Sequence, residues 1–202
     1  MNVTLSKIAH PDFIILSDQK ISKAFLKIKV NNFFEACLHV GAWPYFRNKD
    51  KSNLLAMFNE QCGTCSTKHA LLKELANENN FNDLQLMLGI FKMNERNTPK
   101  TEGILKNYHL DHIPEAHCYL RYKNQILDFT NINAKPIHFL DDLLFETEKL
   151  DLKSIPRIVF FFTIFMVPTW CRPLELSLSK CHSPGRKFQK SINFKILTTA
   201  KI

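Results

Sequence analysis

Two sequence patterns are missing from this chain of 202 residues, and each absence excludes a class of protein. No glycine-rich phosphate-binding loop and no dinucleotide-binding fingerprint occurs, so we predict no nucleotide and no other cofactor. No apolar run is long enough to cross a bilayer as a helix, which takes about 20 residues. The most apolar run, residues 158–167, is only ten residues long.

The start of the sequence also lacks the charged and apolar regions of a secretory signal peptide. Six cysteines in a chain without such a signal argue against a disulfide framework. We therefore expect reduced thiols and a cytoplasmic protein.

Net positive charge is absent from most of the chain, although the whole carries +8. Residues 153–202 contain nine Lys or Arg and a single acid, Glu175, whereas residues 1–152 contain eighteen bases and eighteen acids. Because the excess charge lies in the last quarter, it gives no support to a nucleic-acid partner for the main body. We predict no nucleic-acid partner.

The change of composition predicts a domain at 1–152 and a basic C-terminal segment at 153–202, with an apolar strand and a tail. We consider three interpretations of this segment. It is a buried strand with a solvated tail, an interfacial anchor that contacts a membrane surface weakly, or sequence that is not native to the domain, such as a shifted reading frame. The oligomeric state does not follow from the sequence.

The main body shows alternating helix and strand signals, which predict an α+β fold. Asn32 and Thr64 are good N-cap residues, and strong helix formers follow each of them. The predicted helices cover about 33–40, 54–58, 65–77 and 104–108, and the predicted strands cover 12–16, 84–91 and a hairpin at 117–130.

Cys65, His117 and Asp128 follow one another in the order thiol, imidazole, carboxylate. A thiol is a weak nucleophile until its pKa is lowered, and a helix N-terminus and a carboxylate-oriented imidazole both lower it. Cys65 falls in the first turn of a predicted helix. The three residues therefore indicate a covalent cysteine hydrolase or acyltransferase.

The hairpin sets a geometric condition on this hypothesis. If Lys123 and Asn124 form a two-residue loop, Tyr122 pairs with Gln125, and His117 and Asp128 lie on one face of the sheet because side chains alternate along strands. A three-residue loop would send Asp128 to the opposite face. The hypothesis requires the two-residue loop.

The motifs resemble those of the transglutaminase-like superfamily, which has a papain-like fold. Gly63-Thr64-Cys65 is similar to its Gly-x-Cys helix start, Ala116-His117-Cys118 to its His at a strand start, and Leu127-Asp128-Phe129 to its Asp on the next strand. The resemblance covers residues 31–135 and implies a catalytic helix packed on an antiparallel sheet. It also implies a thiol peptidase or amidase that forms an acyl-enzyme on a peptide or a small amide or ester substrate.

By this resemblance Cys65 attacks the carbonyl, His117 moves the proton and Asp128 orients the imidazole. The backbone N–H of Cys65, with the side chain of Gln61 or Trp43, would stabilise the oxyanion.

Two alternatives come from other classes of protein. Cys62, Cys65 and His117 could form a zinc site, which His112 and Cys118 could complete, although a second Cys-x-x-Cys pair is absent. The second alternative is a non-catalytic binding or scaffold protein with the same fold. His69 lies four residues after Cys65 on the same predicted helix face, so it could support the site, but we expect helix-surface packing for it. We expect structural or solvent-facing positions for His109, His112 and Cys118.

Overall fold

The computed structural model of the protein describes residues 11–101, 103–133 and 139–148. The C-terminal segment at 153–202, with its predicted strand at 158–167, lies outside these residues. Its boundary at residue 152 therefore stays a prediction. Within the described ranges, no helix is both long and apolar enough to cross a membrane.

The described elements confirm an α+β class, with helices and one four-stranded antiparallel sheet in the order β3-β2-β1-β4. The helices are α1 (Lys20–Lys27), α2 (Phe33–Ala42), α3 (Ala56–Glu60), α4 (Cys65–Glu78) and α5 (Ile104–Asn107). The strands are β1 (Gln85–Met93), β2 (Ile113–Tyr122), β3 (Gln125–Leu127) and β4 (Leu143–Glu148).

The predicted helices and the hairpin are confirmed, with shifts of a few residues at their ends. The predicted strand at 12–16 is wrong, because that segment makes only an isolated bridge between Ile14 and Asn32. The region from Ser22 to Val30 carries mixed signals in the sequence, and most of it belongs to α1.

The described residues pack as two compact units. The first contains residues 11–89, 117–133 and 146–148, and the second contains 90–101, 103–116 and 139–145. Cys65, His117 and Asp128 all belong to the first unit.

Helix α4 runs through the core of the first unit. Its apolar side chains, which have almost no exposure to solvent, pack with those of α1, α2 and the hairpin. Burial of this apolar surface is the main force that holds α4 in place. The core residues of α4 are Ala70, Leu71, Leu72, Leu75 and Ala76, and their partners include Phe25, Phe33, Val40, Leu120 and Leu127.

Helix α1 receives its N-terminal cap from a residue distant in sequence. The carboxylate of Glu78, in the last turn of α4, accepts hydrogen bonds from the backbone N–H groups of Ile21 at 2.9 Å and Ser22 at 2.6 Å. The Ser22 hydroxyl donates to the same carboxylate at 2.7 Å. Because the first N–H groups of a helix have no partners within it, this carboxylate fixes the start of α1 on α4.

The second unit is held by polar contacts around Asp142. This carboxylate lies 2.9 Å from the Arg96 guanidinium and 2.8 Å from the Asn97 amide, both as hydrogen bonds. Phe91 and Phe139 pack nearby as a tilted aromatic pair with ring centroids 5.7 Å apart.

Gly63 lies in a tightly packed part of the first unit, where an added side chain has no free space. A Cβ there would meet Met57 Cε at 2.7 Å, Lys68 Cγ at 2.9 Å and Thr67 Oγ1 at 3.0 Å, and all three side chains are buried. We expect Gly63→Ala to lower the free energy of unfolding by about 1–3 kcal/mol, because the site is already filled. Chemical denaturation measures this change.

Gly41→Ala is the matched control. Its Cβ would meet Ile132 Cγ2 at 2.6 Å, and the Ile132 side chain is 42% exposed and free to turn away. Alanine also favours the helical conformation over glycine by up to about 1 kcal/mol. Equal destabilisation by the two substitutions would contradict this account of Gly63.

Candidate active site

Cys65 is the first residue of α4, and the chain before it is fixed by hydrogen bonds. The predicted N-cap at Thr64 is confirmed by a capping box with Thr67, whose hydroxyl accepts the Thr64 N–H at 3.0 Å. The Thr67 hydroxyl in turn donates to Asn48 Oδ1 at 2.8 Å, and Asn48 Nδ2 donates to the Cys62 carbonyl at 3.0 Å. The thiol therefore lies at the positive end of the helix dipole.

Strand β2 brings two side chains to the sulfur of Cys65. Hydrogen bonds from the Cys118 side chain, then from His117 and from the Cys118 backbone N–H, hold the pKa of Cys65 well below its usual value, although burial acts to raise it. The positive charge on His117 acts in the same direction. These contacts therefore favour the thiolate form of Cys65 over the neutral thiol.

Asp128 lies on the other side of the imidazole. His117 Nε2 and Asp128 Oδ2 are 2.7 Å apart in a hydrogen bond. Since Nε2 is engaged by the carboxylate, Nδ1 is the ring nitrogen left for Cys65. The arrangement is a chain of thiolate, imidazole and carboxylate.

The hairpin meets the condition that the sequence set. Tyr122 pairs with Gln125 and Leu120 with Leu127, so the loop consists of Lys123 and Asn124. Both loop residues have positive φ, 46° and 62°, as the tight two-residue turns of hairpins require. The paired residues end at Leu127, and the same alternation continued by one residue puts Asp128 on the face of His117, to which it is hydrogen-bonded. The predicted two-residue loop is confirmed.

The charges on the neighbours of His117 control its protonation. Burial acts to lower the pKa of His117, but hydrogen bonds to Asp128 and Cys65, and the negative charges on both, raise it to about 10. Burial likewise acts to raise the pKa of Asp128, and the hydrogen bond and charge of His117 reverse this and hold it below its usual value. These shifts together favour a thiolate–imidazolium pair next to a carboxylate.

Three further residues lie close to the site. Cys118 is only 2% exposed, so a solvent-facing position is excluded, and it hydrogen-bonds to the Cys65 sulfur, which the sequence did not predict. His69 is 0% exposed, so its preferred prediction, helix-surface packing, is wrong, and the alternative place beside Cys65, which its spacing of one turn indicated, agrees with the structure. Lys68, also 0% exposed, was not predicted at the site.

The two predicted oxyanion side chains are placed differently. Gln61 is exposed and has a left-handed backbone, with φ 47°, at the end of α3. Trp43 is buried, and its ring packs edge-on against Phe58 and His39. A role for either side chain in oxyanion binding stays a prediction.

The zinc alternative finds no geometric support in the described residues. Across 11–101, 103–133 and 139–148, no three His, Cys, Asp or Glu side chains are grouped so that they could hold a metal ion. Cys62 lies beside Asn48 instead, and burial raises its pKa, with a smaller contribution from Glu60. His109 and His112 belong to the second unit.

Comparison with protein-family models, curated proteins and solved structures finds no match for this chain. We therefore infer its chemistry from the geometry of Cys65, His117 and Asp128.

The contrast between Cys65 and Cys62 gives a test of the thiolate. We expect iodoacetamide to modify Cys65 at neutral pH, where a thiol with an ordinary or raised pKa, such as Cys62, reacts slowly. Because the pKa of Cys65 is lowered, its labelling rate should fall only as the pH drops through a midpoint well below that of an ordinary thiol. Peptide mass spectrometry across pH measures the rate at each cysteine.

His117→Ala should move the Cys65 midpoint upward, because it removes a hydrogen bond and a positive charge from the thiolate. Cys62→Ser is the control and should leave the midpoint unchanged. Equal labelling of Cys62 and Cys65 at neutral pH, with no effect of His117→Ala, would contradict the thiolate.

Proposed function

We propose that the protein is a cysteine-dependent hydrolase or acyltransferase that acts on an amide or ester through an acyl-enzyme. The observation that carries this proposal is the contact of Cys65 with His117, which Asp128 holds at 2.7 Å. A structural cysteine needs no thiolate, whereas a covalent nucleophile does. The proposal includes a transglutaminase-like or papain-like fold, with α4 as the catalytic helix.

The acylation step starts from the ion pair. The Cys65 thiolate attacks the carbonyl carbon, and the carbonyl π electrons move onto oxygen. When the tetrahedral adduct collapses, the bond to the leaving amine or alcohol breaks, and the His117 imidazolium donates its proton to that group. A thioester on Cys65 and a neutral His117 remain.

Deacylation reverses these roles. Neutral His117 removes a proton from water or an acceptor amine, which attacks the thioester carbonyl and expels the Cys65 thiolate. Asp128 keeps the imidazole in one orientation and stabilises its charged form in both steps. The cycle ends with the thiolate–imidazolium pair restored.

The start of α4 supplies the most direct support for oxyanion binding. The backbone N–H of Cys65 lies in the first turn, where helix N–H groups point along the axis without partners inside the helix. The N–H of Cys118 hydrogen-bonds to the sulfur and serves the thiolate instead. Gln61 or Trp43 would supply a second donor.

A scaffold protein without catalysis is the alternative from another class. A scaffold would bind its partner without forming a covalent bond. The lowered pKa of Cys65 favours the enzyme over the scaffold. We propose peptides or small amides and esters as substrates, with no nucleic acid. A weak membrane-surface contact of residues 153–202 remains a separate prediction.

The proposal predicts a thioester on one cysteine. Purified protein is mixed with activated esters, simple amides and short peptide amides, and intact mass spectrometry under acid quench detects an acyl adduct. We expect the adduct on Cys65, released by hydroxylamine, and loss of turnover by at least about a thousandfold in Cys65→Ala. Added amines should compete with water if the protein is an acyltransferase.

Cys62→Ala is the matched control, because it removes a thiol three residues away without touching His117. It should retain both adduct and turnover. Turnover that persists in Cys65→Ala would overturn Cys65 as the nucleophile. A protein that turns over no substrate and acylates no cysteine, although Cys65 is a thiolate, would favour the scaffold.

A further inference from the structure

His69 joins the nucleophile to the segment that carries the carboxylate. Its ring is 0% exposed, and its Nδ1 lies 2.8 Å from the Cys65 carbonyl oxygen. Its Nε2 lies 2.8 Å from the backbone nitrogen of Phe129. Because a backbone N–H can only donate, Nε2 accepts, and the proton on Nδ1 is donated to Cys65. The geometry therefore requires a neutral ring with one tautomer.

Lys68 makes the neighbouring connection. Its ammonium donates to the backbone carbonyls of Trp43 at 2.5 Å and Thr130 at 2.7 Å, and its side chain is also 0% exposed. The Thr130 N–H donates to Asp128 Oδ1 at 2.9 Å. Two consecutive residues of α4 thus hold two consecutive residues that follow Asp128.

The hydrogen bonds of His69 and Lys68 reach residues just beyond the end of strand β3. Strand β3 ends at Leu127, so Asp128 is the first residue without a place in the β2–β3 register. An apolar side chain at position 69 would fill the same space in the core but could not bind the Cys65 carbonyl or the Phe129 N–H. Ordinary helix packing does not require a buried polar ring there.

We infer that His69 and Lys68 are positioning residues, which hold the segment 128–130 on the helix that carries Cys65. This role rests on the proposed function, in which Asp128 orients His117. His69 fixes the distance between the nucleophile and the carboxylate through two backbone hydrogen bonds. Lys68 fixes the end of the same segment, and its charge faces Asp128.

The test uses His69→Leu, which removes both hydrogen bonds at nearly constant volume. We expect the pH midpoint of Cys65 labelling by iodoacetamide to rise by about one unit, which lowers the thiolate fraction about tenfold below the midpoint. The expected cause is a displaced Asp128 that no longer holds the His117 imidazolium. Lys68→Met should move the midpoint in the same direction.

His69→Gln and Ala76→Gly are the matched variants. The Gln amide can donate to the Cys65 carbonyl and accept from Phe129, so it should return the midpoint most of the way to that of the unchanged protein. Ala76→Gly destabilises the far end of α4 and should leave the midpoint where it was. Circular dichroism confirms that each variant is folded.

Two outcomes separate this inference from the proposed function. If the unchanged protein acylates no substrate but His69→Leu still raises the midpoint, the positioning role stands and the proposed reaction fails. If His69→Leu is folded and its midpoint does not move, or if Ala76→Gly moves it equally, the positioning role is overturned whatever the activity.

Discussion

A 2.7 Å hydrogen bond joins His117 Nε2 to Asp128 Oδ2, and the electrostatics of the site depend on it. Burial disfavours the charged form of each group, and the hydrogen bond and opposite charge of the partner outweigh that effect. Together they hold an imidazolium next to Cys65, and that positive charge is one of the reasons for the low pKa of the thiol. The hairpin register, the N-cap of α4 and the contacts of His69 all serve to keep these groups together.

The charges at the site are balanced. His117 and Lys68 are buried and positive, and both interact electrostatically with Asp128, whose side chain is 27% exposed. The lowered pKa of Cys65 favours a second negative charge beside His117. Breaking a buried pair typically costs several kcal/mol, about 3–5, because the remaining charge stays desolvated. Burial lowers the pKa of Lys68 to about 8, and its two carbonyl hydrogen bonds and the charge on Asp128 oppose that cost. These contacts explain how the ammonium group of Lys68 is accommodated where α4 is buried.

The features that local sequence determines were predictable. Thr64 as a cap and the helix formers after it predict α4, and the spacing from His117 to Asp128 predicts a hairpin with a shared face. The order of thiol, imidazole and carboxylate then predicts the three site residues. The first two inferences use residues close in sequence or a strand periodicity of two, whereas the third uses only the types of the three residues and their order.

Features that depend on distant backbone groups were not predictable. Glu78 caps α1 from 57 residues away, and Lys68 bonds to carbonyls at positions 43 and 130. The apolar residues of α4 indicate one buried face, whereas the tertiary structure covers Lys68 and His69 as well. A lysine and a histidine at a helix start ordinarily face solvent, so only the position of the hairpin reveals their burial.

The charged state of His117 beside Cys65 is tested most directly by ¹⁵N NMR of the His117 ring nitrogens, which reports their protonation across pH. We expect an imidazolium with both nitrogens protonated at neutral pH, which loses its proton only near a pKa of about 10. Asp128→Asn should lower that value, because it removes the carboxylate charge. A His117 that is already neutral at pH 7, with an ordinary histidine pKa of about 6.5, would show that Asp128 does not hold an imidazolium beside Cys65.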